Sequence, residues 1–209
     1  GGFYCAQDAD SEGVEGKYYV FTPDEVREVL GEEEGRYFNE YYDIGPEGNF
    51  EGRSIPNLID NPKALQEDST TQSLLETMRK KLYAYRLERV QLHKDDKVLT
   101  SWNGLMIAAL AKAGKTLGEP VYLEAAQQAM TFIQANLMDE EGNLLIRYRQ
   151  GAADGQGLLD DYAFSIWALL ELYEANYEVT YLEQALELNR RLLEQFWDEK
   201  GGGFYMKSR

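Results

Sequence analysis

Tyr122-Leu123-Glu124 recurs 59 residues later as Tyr181-Leu182-Glu183, and the match runs on in both directions without a gap. Ile107, Ala109 and Leu110 recur as Ile166, Ala168 and Leu169. Glu119 and Ala126 recur as Glu178 and Ala185, and Asp139-Glu140 with Gly142 recur as Asp198-Glu199 with Gly201. A fixed period of this size means stacked copies of one supersecondary unit, each unable to bury its apolar face alone.

Each copy holds two helical stretches of different kinds. The leading ones run roughly from Trp102 to Leu117 and from Leu159 to Ala175, the trailing ones roughly from Val121 to Leu137 and from Tyr181 to Trp197. The leading stretches are apolar nearly all round, as in Leu105-Met-Ile-Ala-Ala-Leu-Ala111, so they should be packed on most sides. The trailing ones keep Tyr122, Leu123, Ala126, Ala129, Met130, Ile133 and Leu137 on one face, and Tyr181, Leu182, Ala185, Leu188, Leu192 and Phe196 likewise. Buried helices alternating with amphipathic ones describe an inner and an outer layer. The expected fold is all-α: part of an (α/α)6 toroid of helical hairpins, with short β-hairpins in the connecting loops. Those hairpins fall after each trailing helix, where Gly142 and Gly201-Gly-Gly precede β-branched and aromatic residues.

Gly1-Gly2-Phe3-Tyr4 matches Gly202-Gly203-Phe204-Tyr205, so the chain starts where a unit ends. With 209 residues and no initiator Met, it reads as about three and a half units, where a closed toroid needs on the order of 350 residues. We therefore expect a single toroid fragment over 1–209. Residues 1–70 should supply a β-hairpin, short helices and irregular loops, and 71–209 the helical hairpins. The strand pair is expected over Gly2 to Ala6 and Lys17 to Phe21. A helix should start at Thr22-Pro-Asp-Glu25, where Thr22 is an N-cap and Glu25 completes a capping box. It ends at Gly31. A further helix, Ser69 to about Arg89, reads as the outer helix of the preceding unit.

Hydrophobic residues make up 44% of the chain and aromatic ones 12%, enough for a core. The net charge of −16 repels nucleic-acid backbones and anionic membranes, so neither is an expected partner. One cysteine, Cys5, excludes an internal disulfide and leans towards a reducing, cytoplasmic setting. No apolar run is long enough to span a bilayer.

Four motifs occur in order: Asp8-Ala-Asp-Ser-Glu-Gly-x-Glu-Gly-Lys-Tyr-Tyr-Val-Phe-Thr-Pro-Asp-Glu-Val26, Gly48-Asn-Phe-Glu-Gly52, Asp95-Asp-Lys-Val-Leu-Thr-Ser-Trp-Asn-Gly-Leu-Met-Ile-Ala-Ala-Leu-Ala111 and Leu159-Asp-Asp-Tyr-Ala-Phe164. Together they resemble the spermatogenesis-associated protein 20/YyaL family over essentially the whole chain. The resemblance implies a parent in which a thioredoxin-like domain precedes a toroid similar to N-acylglucosamine 2-epimerase and related glycosidases. This chain would be the middle of that toroid. It has no Cys-x-x-Cys, and Leu92 stands where the family pattern favours proline.

In such toroids the cavity opens where the inner helices begin. Asp95/Asp96 and Asp160/Asp161 sit at or just before those starts. Two carboxylates facing across a sugar can act as general acid and general base. On that reading Asp96 and Asp161 are the candidate catalytic pair. Asp8, Asp10, Lys97, Trp102, Asn103, Asp160 and Tyr162 are the candidate substrate contacts, and a sugar is the candidate ligand. Each also has a plainer reading. An Asp before an apolar helix caps it or favours its positive end. Lys97 pairs with a neighbouring Asp on the plainer reading. The apolar flanks of Trp102 and Trp167 favour core positions, and Asn103 is the polar residue least easily explained.

Asp8-x-Asp-x-Glu12 partly imitates a calcium loop, but Tyr19 stands at the twelfth position and strands rather than helices flank it, so an Asx turn is favoured. His93 is the only histidine; it neither supports nor excludes epimerase chemistry and reads as a loop residue. One His and one Cys assemble no zinc site, there is no phosphate loop, and no cofactor is expected. Cys5 has no neighbouring His to activate it. Two functions remain open. The parent is a carbohydrate-active enzyme, epimerase-like or hydrolase-like, of which this fragment alone is inactive. Alternatively, the chain is a non-catalytic scaffold or ligand-binding module beside the thioredoxin-like domain. Open apolar faces at the ends of the fragment should make it self-associate.

Overall fold

The structure is a computed structural model that describes residues 1–65 and 68–208. In chain order it contains β1 (Ala6–Gln7), β2 (Asp10–Ser11), β3 (Val14–Glu15), α1 (Pro23–Leu30), α2 (Glu32–Tyr41), a 3-10 turn (Pro62–Leu65) and α3 (Ser69–Leu87). Then come β4 (Lys94–Asp95), β5 (Val98–Leu99), α4 (Thr100–Leu117), α5 (Pro120–Asn136), β6 (Leu145–Arg149), β7 (Ala152–Gln156), α6 (Leu159–Asn176) and α7 (Val179–Phe196). Two compact units divide it: Gly1–Ala6 with Asp95–Arg209, and Gln7–Lys94.

In the larger unit the two-layer reading holds. The leading helices α4 and α6 share the most extensive contact, and each packs on its own trailing helix, α5 or α7. α4 and α6 run side by side in the register of the repeat. Lys112 pairs with Glu171 at 3.3 Å and Lys115 with Glu174 at 3.6 Å, each pair 59 residues apart. The approach is close enough to require glycine: a Cβ on Gly104 would stand 2.7 Å from the carbonyl carbon of Phe164. The core runs through Ile107, Ala111, Ala126, Met130, Ile133, Tyr162, Leu169, Leu172, Leu188 and Phe196.

The piece after each trailing helix turns back on an aspartate. Asp139 Oδ1 accepts from the Glu141 and Asn143 amides, and Asp198 Oδ1 from the Lys200 amide. Bridges then form between Met138 and Leu144 and between Trp197 and Phe204. The first piece continues into the three-stranded antiparallel sheet β5-β6-β7.

The inner helices are not packed on most sides as their composition suggested. Trp102, Leu105 and Met106 on α4 and Trp167 and Leu170 on α6 are exposed. The core positions expected for both tryptophans are therefore overturned: each lies on the side of its helix turned away from the partner helices.

In the smaller unit, Thr22 and Glu25 form the expected capping box. Val26, Leu30, Phe38 and Tyr41 of α1 and α2 bury against Leu75, Met78 and Leu82 of α3. That shared cluster places α3 with the N-terminal helices and not as an outer helix of the repeat. Leu74, expected on its apolar side, is exposed. The expected strand pair, Gly2 to Ala6 with Lys17 to Phe21, is replaced by the short hairpin β2-β3, with Asp10 opposite Glu15. Residues 17–20 are fixed differently: Arg89 donates to the carbonyls of Lys17, Tyr18 and Val20 and pairs with Glu25. Those carbonyls spend their bonding on a side chain, so no ladder forms there.

Candidate functional site

The first turns of α4 and α6 carry most of the residues singled out from the sequence, and they fall into two sets. Asp161, Asn103 and Tyr162 are sealed, at 2%, 1% and 0% exposure. Asp161 accepts from the Leu158 amide through Oδ2 at 2.8 Å and from the Ser101 amide through Oδ1 at 2.9 Å. One donor belongs to the start of its own helix and the other to the first turn of α4, so this carboxylate satisfies orphan amides of two helices. Burial raises its carboxyl above the ordinary carboxylate value, and the two amide bonds oppose that.

Asn103 Oδ1 accepts from the Phe3 amide at 2.7 Å, while its Nδ2 donates to the Phe3 and Leu99 carbonyls at 3.0 and 2.9 Å. That answers the puzzle of a polar residue inside an apolar helix: it clamps an extended strand piece on both sides. Tyr162, one repeat later, accepts from the Leu144 amide at 3.1 Å through its hydroxyl and packs its ring at a tilt against Phe196.

The other set meets solvent. Asp96 is bound by Arg149 Nε at 2.6 Å, and Lys97 pairs with Asp95 at 3.1 Å. Trp102 is 56% exposed, and Asp160 is exposed as well. Asp95 is partly desolvated, but bonds from Lys97 and the Cys5 thiol outweigh this and hold its carboxyl below the ordinary value. Arg149 went unnoticed in the sequence reading. Its signal was the alternation Arg147-Tyr-Arg149 in β6, which puts both arginines on one face, opposite Asp154 and Asp96.

Asp8 and Asp10 belong to the Gln7–Lys94 unit. There Asp8 Oδ1 accepts from the Asp10 amide at 3.0 Å, as an Asx turn does, and Glu12 pairs with Lys17. Cys5 Sγ lies 3.6 Å from the Asp95 carbonyl, and burial pushes its thiol up, away from the thiolate form a nucleophile needs. Among the described residues no group of three or more His, Cys, Asp or Glu is placed to hold a metal ion, and no helix is long and apolar enough to cross a membrane.

The fold and this arrangement of inner-helix starts define a segment of an (α/α) toroid. Its solved likenesses include cellobiose 2-epimerase from Bacillus thermoamylovorans, with a TM-score of 0.51 and 20% identity over 55% of this chain and 30% of that one. At that identity the fold alone is shared. In sequence the chain is a homologue of spermatogenesis-associated protein 20: it is 32% identical to the mouse protein over 98% of its own length, and 31% identical to the human protein. An uncharacterised Caenorhabditis elegans protein is 29% identical over the full chain. The chain spans 31% of the length of the mouse relative. No family model matches it.

Proposed function

We propose that this chain supplies part of the frame and mouth of a sugar-binding cavity in a longer toroid protein. Asp96, Lys97, Trp102 and Asp160 meet the ligand in this reading, and Asn103, Asp161 and Tyr162 hold the frame. The single observation that carries it is Trp102: a large aromatic ring left open to solvent on the first turn of an inner helix, a few residues along the chain from the ion-paired Asp95, Asp96 and Lys97. Such a ring stacks on the apolar face of a sugar, while carboxylates accept from its hydroxyls. The shared fold with a cellobiose 2-epimerase supports a disaccharide as the ligand class. Of the candidate catalytic pair, Asp96 is half-exposed and engaged by Arg149 through Oδ1, whereas both oxygens of Asp161 are taken by backbone amides.

That commitment of Asp161 also favours a second reading, a non-catalytic scaffold beside a thioredoxin-like domain in the parent. Calorimetric titration of the chain with cellobiose and mannose separates them. Saturable binding, weakened about tenfold by Trp102→Ala, supports the cavity; no heat with either sugar turns the account to the scaffold. The exposed apolar residues of α4 and α6 further support self-association of this chain. Sedimentation that shows a monomer with no concentration dependence would contradict that.

A further inference from the structure

The cavity of the Gln7–Lys94 unit plays no part in the reading above. It is an open cleft of about 540 Å³, within the ordinary range for a small-molecule site. Phe21, Phe38, Tyr42, Leu82 and Tyr83 give it apolar walls. Its charged lining comes from α3, and most of that is internally balanced. Glu76 pairs with Arg79 at 2.6 Å and with Lys80 at 3.4 Å, one turn along the helix.

Arg86, two turns beyond Arg79, is different. Its guanidinium lies 5.4, 5.6 and 5.2 Å from the ring centres of Tyr18, Tyr19 and Tyr83. It has no carboxylate partner among the described residues, although the chain carries 37 acidic residues against 21 basic ones. Its Nε is buried without a hydrogen-bond partner. Leaving such a donor unmet costs about 1–3 kcal/mol, and buried donors in native structures normally find an acceptor. Three rings hold the side chain in place, so the ordering cost of binding is largely met beforehand. A planar, fixed fork of N–H donors matches a carboxylate.

We propose that this cavity binds a small organic carboxylate with an aromatic or branched apolar body, the carboxylate on Arg86 and the body against Phe21, Phe38 and Leu82. A phosphate suits the site less well, because Arg79 and Lys80 are already engaged by Glu76 and the remaining walls are apolar. A neutral sugar leaves Arg86 without an anion.

Amide NMR titration of the whole chain with phenylacetate and its neutral analogue phenylacetamide tests this. The acid should give saturable shifts clustered at Phe38, Tyr42 and Leu82, with the amide at least about tenfold weaker. Arg86→Met should bring the acid down to the level of the amide. The comparison of acid with amide on the unsubstituted chain stands even if Arg86→Met fails to fold, because it needs no variant. Equal binding of acid and amide, shifts elsewhere in the chain, or no saturation with the acid would each overturn the proposal.

Discussion

Positions 102/103 in the first copy and 161/162 in the second are the same place in the repeat, yet they teach different things. At the second position of each pair the job is unchanged. Asn103 and Tyr162 are both sealed, and each bonds the backbone of an extended piece, Phe3 in one copy and Leu144 in the other. At the first position the jobs diverge. Asp161 is buried and joins the start of α6 to the start of α4, whereas Trp102 is exposed and caps nothing. The repeat therefore preserves what holds each inner helix to the extended piece of the preceding copy, and lets the residue before it vary.

The largest effect expected from breaking this comparison is at Asp161. Asp161→Ala strands the Ser101 and Leu158 amides at once and should cost about 2–4 kcal/mol in chemical denaturation. Gly104→Ala comes next. In an open helix that change gains up to about 1 kcal/mol; against the Phe164 backbone it should instead lose about 2–3 kcal/mol, measured the same way. Asn103→Leu keeps the helix but strands the Phe3 amide, for a loss of about 2 kcal/mol and faster exchange of that amide.

A smaller effect separates the trailing helices. α7 carries Glu187, Arg190 and Arg191 where α5 carries Gln128, Thr131 and Phe132. Hydrogen bonding to Arg190, with help from Arg191, lowers the Glu187 carboxyl from 4.5 to about 2. A lowered folded-state value means the contribution is present above the ordinary carboxylate value and is lost as pH falls through that window. Glu187→Gln should remove that contribution at neutral pH, a small loss for so exposed a pair, flatten the acid limb of the stability curve between those values, and leave stability below that window nearly unchanged. The smallest change is Trp102→Ala, within about 0.5 kcal/mol of the parent stability. A large loss there would mean Trp102 belongs to the frame after all.

The fold was legible because periodicity survives in the residues that pack. The repeat placed all four of its helices to within about two residues, and the capping box at Thr22 was read correctly from four residues. The strand pair expected at 2–6 and 17–21 does not form, and β-rich composition does not reveal that Arg89 takes the carbonyls of Lys17, Tyr18 and Val20. The candidate site was half legible. Its residues could be picked out, since aspartates, a tryptophan and an asparagine stand out before apolar helices. Their roles could not, because the partners lie far along the chain: Asp161 answers Ser101, Asn103 answers Phe3, and Asp96 answers Arg149.

The central claim is that one carboxylate ties two successive copies together, and hydrogen exchange of the Ser101 and Leu158 amides tests it most directly. In Asp161→Asn, whose single acceptor oxygen can serve only one of them, protection should fall at either Ser101 or Leu158 and persist at the other, while the Phe3 and Leu144 amides keep theirs. In Asp161→Ala both should fall together. Loss at Leu158 alone in the alanine variant, with Ser101 still protected, would show that Asp161 caps only its own helix and that the copies are joined by packing without it.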